Sequence, residues 1–290
     1  MIGELAALTC AVIWAIAARL FKQLGNSFSP LLLNFWKGLV AIVMLLIAVQ
    51  FIPAPILSNE TIILLLISGL IGIGLGDTFF FQAINRIGDS QTLLIAETLA
   101  PIFTAVLAIA WLSEWLSIAQ WVGIAVVIIS VDMVIRIQRK QADHIFDFTG
   151  IGFAGLAALC QAIGAVISRQ VLTTTELDAA NASFIRLLGG MGIIIVLMLW
   201  RKKAWLPTTD KPSKVWGIFA VATFFGTVAG LYLQMVAFAY TKAAIVQTLF
   251  ATSILFSLAL AAIVGDKVNK KTVLWSFIAL GGVVLLIVNE

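Results

Sequence analysis

One histidine, two cysteines and a charged fraction of 11% are all this 290-residue chain offers for site chemistry. The histidine, His144, sits in a polar break between apolar runs. A histidine-based metal centre therefore has no material, and no metal or cofactor is expected. No HExxH arrangement occurs, and an intramembrane enzyme needs a nucleophile–base pair or metal ligands. Hydrolase and metalloprotease chemistry are starved, while a lipid-modifying enzyme stays open. A phosphate-cradling loop ending in Gly-Lys-Ser/Thr is absent too, which disfavours an ATP-driven pump. Cys10 and Cys160 fall within apolar runs, where they read as small buried residues. No polar break is long enough to hold a soluble domain. No basic residue precedes the first apolar run, which continues to about Phe21 and reads as a membrane helix rather than a cleaved signal.

What is present is apolar: 62% of residues are hydrophobic and the mean hydropathy is +1.10. Soluble domains average about 45–50% apolar and about 25% charged. The chain is thus an all-α integral membrane protein with the lipid bilayer as its solvent. Its runs approach the ~20 residues a helix needs to cross a bilayer, and unbroken runs argue against a β-barrel. Ten spans are predicted, at roughly 3–22, 31–52, 61–86, 90–112, 118–137, 149–171, 179–200, 213–240, 243–264 and 272–289. The net charge of +4 is modest and its basic residues flank the spans, which indicates membrane orientation and no nucleic-acid partner.

The chain repeats itself. Cys10 and Arg19 recur as Cys160 and Arg169, both 150 positions later, and Lys37 has Arg186 at an offset of 149. Gly72, Gly76 and Ala83 match Gly226, Gly230 and Ala237 at 154, and Ser113-Glu114 matches Gly265-Asp266 at 152. Ordered offsets near 150 are what a duplicated five-helix unit leaves, with residues 1–140 as the first copy and 141–290 as the second. Five is odd, so the copies enter the membrane from opposite sides. Inverted repeats of this kind place a solute site near the midplane between the copies. Arg19, Lys22, Arg86, Arg136, Arg139, Lys140, Arg201, Lys202, Lys203, Lys211, Lys214, Lys267, Lys270 and Lys271 fall on one face. Arg169, Lys242 and the acids Glu4, Glu60, Glu114, Glu176, Asp178 and Glu290 fall on the other. The imbalance makes the first face cytoplasmic and puts both termini outside.

The stretch from Ser68 to Pro101 is apolar enough for lipid, yet it carries Asp77 and Glu97. A charge at mid-bilayer costs about 2.5–3.5 kcal/mol on insertion scales. By helical rise, Lys37, Glu97 and Asp77 lie about 10–14 Å below the cytoplasmic end of their spans. Asn34 shares a helical face with Lys37. These four residues are expected to cluster at one side of a central cavity, with Lys37 paired to one carboxylate and the other able to exchange a proton against solute. The bland alternative is a structural ion pair with a snorkelling lysine. The second copy lacks partner carboxylates; its polar content includes Gln161, Ser183, Arg186, Tyr232, Gln234 and Gln247. Arg186, about 10 Å below the outer face, would mirror Lys37. A cation at each end of the cavity could attract a carboxylate-bearing solute; Arg186 could equally cap a helix or pair with Asp178. Gly72/Gly76 and Gly226/Gly230 have small-xxx-small spacing and read as packing seams. Trp14, Trp36, Phe79, Phe80 and Phe81 could shape an apolar pocket, although lipid-facing or core positions are the commoner fate of such residues.

The segment from Gly76 to Val131 resembles the signature of EamA-domain proteins of the drug/metabolite transporter superfamily. The matching pieces are Ala83 to Gly88, Pro101 to Phe103, Ser113 to Trp115 and Gln120 to Gly123, with a looser match at Val264-Gly265-Asp266-Lys267. The resemblance implies a ten-helix secondary transporter, often an exporter of amino acids or related metabolites, with a small-molecule solute as partner. It implies no particular solute. The chain departs from the family in Lys37, where arginine is common, and in Glu97. A lipid or drug flippase, or a channel, is the rival reading, and monomer and homodimer stay open.

Overall fold

The computed structural model describes residues 1–24, 27–52, 57–138, 147–200, 205–207, 212–265 and 269–288. Among these residues it is all helix, with ten helices long and apolar enough to cross a membrane. They are α1 (Ile2–Leu24), α2 (Pro30–Val49), α3 (Asn59–Ile87), α4 (Asp89–Leu112) and α5 (Ile118–Gln138). Then come α6 (Phe148–Thr174), α7 (Ala179–Trp200), α8 (Pro212–Tyr240), α9 (Ala243–Ile263) and α10 (Lys270–Val288). The predicted spans coincide with these helices to within a few residues. The boundary between the copies at 140/141 lies outside the described residues, as do His144, Arg139, Lys140, Arg201, Lys202, Lys203, Lys211, Asp266, Lys267 and Glu290.

Turn chemistry explains the tight connections. Between α3 and α4 the chain reverses at Gly88 (φ 81°), a left-handed conformation that glycine adopts without a Cβ clash. Ser113 (φ 55°) ends α4, and Gly265 (φ 99°), its counterpart in the repeat, is left-handed too. Hydroxyls of Ser29 and Ser58 cap α2 and α3 by accepting from Leu32 N and Thr61 N.

Helix pairing is reciprocal between the copies. α1 packs on α8 and α9, and α6 packs correspondingly on α3 and α4; α2 meets α7, and α5 meets α10. Each pair maps onto its mate when one copy is exchanged for the other, the signature of a two-fold relation. One local feature repeats that periodicity did not predict. α3 and α8 each contain a six-residue π-helical turn, Leu70–Leu75 and Phe224–Ala229. The two turns stand 154 positions apart, the offset that relates Gly72 to Gly226. Such wide turns inside α-helices are frequent at functional sites. α9 is also interrupted, at Thr252.

Without a hydrophobic drive between helices in lipid, close backbone approach does the packing. α3 and α7 touch main chain to main chain: a Cβ on Gly69 would strike the Arg186 carbonyl oxygen, and one on Gly189 would strike that of Leu66. Large apolar side chains on the outside, among them Ile47, Val106, Val196, Leu199 and Phe277, are more than half exposed to the lipid position. At one end Phe28, Phe35, Trp36, Trp205, Trp216 and Phe219 interlock by edge and stacked contacts, and Trp36 Nε1 donates to Trp205 O at 2.8 Å. Amphipathic rings of this kind suit a membrane–water interface.

Two outcomes are expected. Gly69→Ala forces α3 from α7 and lowers thermal stability in micelles by about 1–3 kcal/mol or more. Gly192→Ala, whose Cβ would meet nothing within 4 Å, leaves stability unchanged or raises it by up to about 1 kcal/mol. At the membrane edge, Asp147 accepts from Arg86 Nη1 at 3.1 Å and from Thr149 N at 2.9 Å. The Arg86 guanidinium, then the amide of Thr149, hold its carboxyl below the usual range. Its stabilising contribution is complete above the ordinary carboxylate range and fades as pH falls through the lowered value. Melting temperatures measured across acidic pH should drop more gently in Asp147→Asn than in the native protein.

Candidate functional site

Between the two copies lies a cavity of about 390 Å³, walled by α1, α2, α3, α6, α7 and α8. A smaller chamber of about 170 Å³ adjoins it among α1, α3, α4, α6, α8 and α9. Trp14, Asp77, Phe80, Gln161 and Gln234 line both. The larger chamber reaches toward the face opposite the termini, because Phe21, Asn34, Lys37, Phe81 and Ile194 lie nearer those ends of their helices.

The charged groups sort differently from the expected foursome. Asn34, Lys37 and Asp77 do share the larger chamber, and Lys37 Nζ stands 3.6 Å from Asp77 Oδ2. That spacing is an ion pair beyond hydrogen-bond range. Glu97 is not beside Lys37; it projects into the smaller chamber from α4, without an ion pair or hydrogen bond among the described residues. Depth along the helix placed it at the right level, but α4 packs on α6 and α9 rather than facing α2. Arg186, expected at the far end from Lys37, lines the same chamber. It is 1% exposed, its Nη1 donates to Gln234 Oε1 at 2.7 Å, and Asp77 is the acid whose charge acts on it. It does not pair with Asp178, which caps α7 by accepting from Ala180 N and Asn181 N.

Of the uncharged candidates, Trp14, Gln161 and Gln234 stand in the wall between the chambers. Tyr232 does not: it is 44% exposed and points outward. Leu231 and Gln234 take the cavity face of α8, and a residue one step from Leu231 is turned by about 100°. Among the aromatics, Phe80 and Phe81 reach the cavity. Phe79 stacks on Phe153 at 5.9 Å instead, and Trp36 belongs to the interfacial cluster.

The four repeat glycines occupy equivalent places with unequal neighbours. Gly72 lies against the Gly164 backbone and the Arg186 Nη2, and Gly76 against Cys160. Gly226 faces Ala17 and Phe21, and Gly230 faces the Trp14 ring. Around Gly72 the seam is shut: Ser68 Oγ donates to Gly164 O at 2.8 Å and meets Ser168 Oγ at 2.9 Å. The counterparts of Ser68, Gly164 and Ser168 are Ala222, Trp14 and Ala18, and Trp14, Ala18 and Gly226 line the cavity. Equivalent seams are therefore both in contact, one joined by hydrogen bonds and the other packed on Ala17, Phe21 and Trp14 beside the cavity.

A second closure lies on the termini face. Arg169 Nε donates to Glu114 Oε1 at 2.7 Å, and its Nη1 donates to Phe238 O and Ala239 O at the end of α8. Glu114 Oε2 accepts from Ala243 N at the start of α9, and Lys242 Nζ donates to Trp115 O. The cation meets a helix C-terminus and the anion a helix N-terminus, each arrangement favoured by the helix dipole. The sequence presented these residues as surface charges; the recurrence of Arg19 as Arg169 was the one hint of more.

A ten-helix bundle with a polar two-part cavity at the interface of two matching halves is the architecture of a membrane transporter. Comparison with known proteins agrees. The model of the EamA-like transporter family matches residues 1–136 and again 148–288, and the chain belongs to that family. An uncharacterized transporter of Archaeoglobus fulgidus is 25% identical over 236 residues, which are 81% of this chain and 77% of that one. A solved crystal structure superposes with a TM-score of 0.80 at 14% identity, covering 98% of this chain and 95% of its own, and so shares the fold.

Proposed function

We propose that the protein is a secondary transporter that moves small organic metabolites, amino acids or related compounds, out of the cell by alternating access. It would sit in a bacterial or archaeal-type plasma membrane with both termini outside. The observation that carries this reading is that the two faces are in different conformations: the larger chamber reaches toward the face opposite the termini, while the Arg169–Glu114 network ties helices together on the termini face. Exchange of the two conformations between the copies would close the cavity on one face and open it on the other. The Arg169–Glu114 network is the bolt on the closed face. Glu97, which lines the smaller chamber without an ion pair or hydrogen bond among the described residues, would couple solute movement to protons.

In a background with Cys10 and Cys160 replaced by alanine, Ser68→Cys reports opening of the zipped seam. A membrane-impermeant thiol reagent applied from the termini face should label it slowly, and at least about tenfold faster once Glu114→Gln and Arg169→Gln are added. Unchanged labelling would sink the bolt. In proteoliposomes Glu97→Gln should keep solute counterflow but lose pH-driven transport. Survival of both at native rates would remove Glu97 from coupling.

A further inference from the structure

On the lipid side of the bundle, α9 and α10 part from one another. The regular helix of α9 breaks at Thr252, whose Oγ1 donates to Leu249 O at 2.6 Å. Beyond the break, Ser253–Ile263 packs on α1, whereas α10 packs on α5. The space left between them is a groove of about 210 Å³, walled by Leu255, Leu258 and Ala262 on one side and Val273, Phe277 and Leu280 on the other. Among the described residues no charged side chain lies in that wall. Ser276, also in the wall, donates its hydroxyl to Thr272 O at 2.9 Å, so the groove presents carbon. From Thr272 to Leu280 it runs for about 12 Å, which keeps it within one leaflet of a ~30 Å hydrocarbon core. Its head is basic. Lys270 and Lys271 open α10 at the face opposite the termini, both are exposed, and neither ammonium has an ion pair among the described residues. Lys270 precedes Val273 by three residues and Phe277 by seven, so it stands on the groove side of the helix.

We propose that this groove is a binding site for one anionic phospholipid of the leaflet opposite the termini. An acyl chain lies between the apolar walls, and the lipid phosphate rests on Lys270 and Lys271 at headgroup level. The groove alone selects no headgroup, because every bilayer lipid offers a similar chain. Selection comes from the two lysines, each favouring an anionic over a zwitterionic lipid by about fivefold. The length of the groove argues against a second copy of the chain as its occupant, since two membrane helices pack through both leaflets, whereas this groove ends within one.

The test separates the chain from the headgroup. The full-length protein, purified in a mild detergent, is equilibrated with equal amounts of phosphatidylglycerol and phosphatidylcholine carrying the same acyl chains, and retained lipid is read by native mass spectrometry. One lipid should stay on each chain, with phosphatidylglycerol favoured at least about tenfold. Lys270→Gln combined with Lys271→Gln should bring the two lipids to near-equal retention. Ala259→Phe, at an exposed position in the groove wall, should displace the retained lipid of either kind. Ala262→Phe, one turn along, should do the same, so that a folding defect at one position does not decide the result. Lys214→Gln, an exposed lysine near the start of α8, should keep the native preference and controls for general surface charge. Equal retention by the native protein overturns the site, as does a preference that survives the double lysine variant or falls as far in Lys214→Gln. Retention untouched by both phenylalanines overturns it too. A dimer that either phenylalanine disperses would assign the groove to a second copy instead.

Discussion

A guanidinium buried among membrane-spanning helices is the constraint on which the centre of this bundle depends. Arg186 is 1% exposed in a protein whose outside is hydrocarbon, and a charge there is tolerated when partners and polar surroundings replace its hydration. The neighbourhood is arranged accordingly. Gly72 and Gly164 leave space for its Nη2, Gln234 accepts from its Nη1, and Asp77 opposes its charge. The closeness of α3 to α7, enforced at Gly69 and Gly189, keeps Arg186 at the junction of the two copies.

Symmetry and its breaking together make the cavity. The copies share π-turns, left-handed turn residues and reciprocal helix pairs, so their scaffolds correspond element by element. Their seams differ in chemistry. Ser68 and Ser168 can exchange hydroxyl contacts across a glycine-lined gap, whereas Ala222 and Ala18 cannot, and Trp14 fills the place held by Gly164. One seam therefore closes on hydrogen bonds, and the other packs the Trp14 ring against Gly230 beside the cavity.

On the termini face, closure includes a buried charged network beside the apolar core. The Arg169–Glu114 pair is largely buried, with side chains 14% and 13% exposed, so its desolvation has to be offset by more than one contact. The α8 carbonyls and the α9 amide supply those contacts. On the alternating-access reading proposed above, opening this face would exchange those contacts for water.

How much of this was written in the chain follows from the kind of physics involved. Hydropathy and spacing determined the ten helices, because crossing lipid demands about 20 apolar residues whatever surrounds them. The offsets of Cys10, Arg19, Gly72 and Gly76 determined the duplication, and an odd helix count its inversion. Trp14, Asn34, Lys37, Asp77, Gln161 and Gln234 were legible as cavity residues because polar or bulky groups inside apolar spans stand out. Tyr232 and Glu97 show the limit. Depth can be counted along a helix, but the direction a side chain faces depends on how that helix is rotated against its neighbours. The separation of Glu97 from Lys37, the meeting of Arg186 with Gln234 and the Arg169–Glu114 bolt were decided by tertiary packing alone, since each joins residues from helices whose contacts no local pattern encodes.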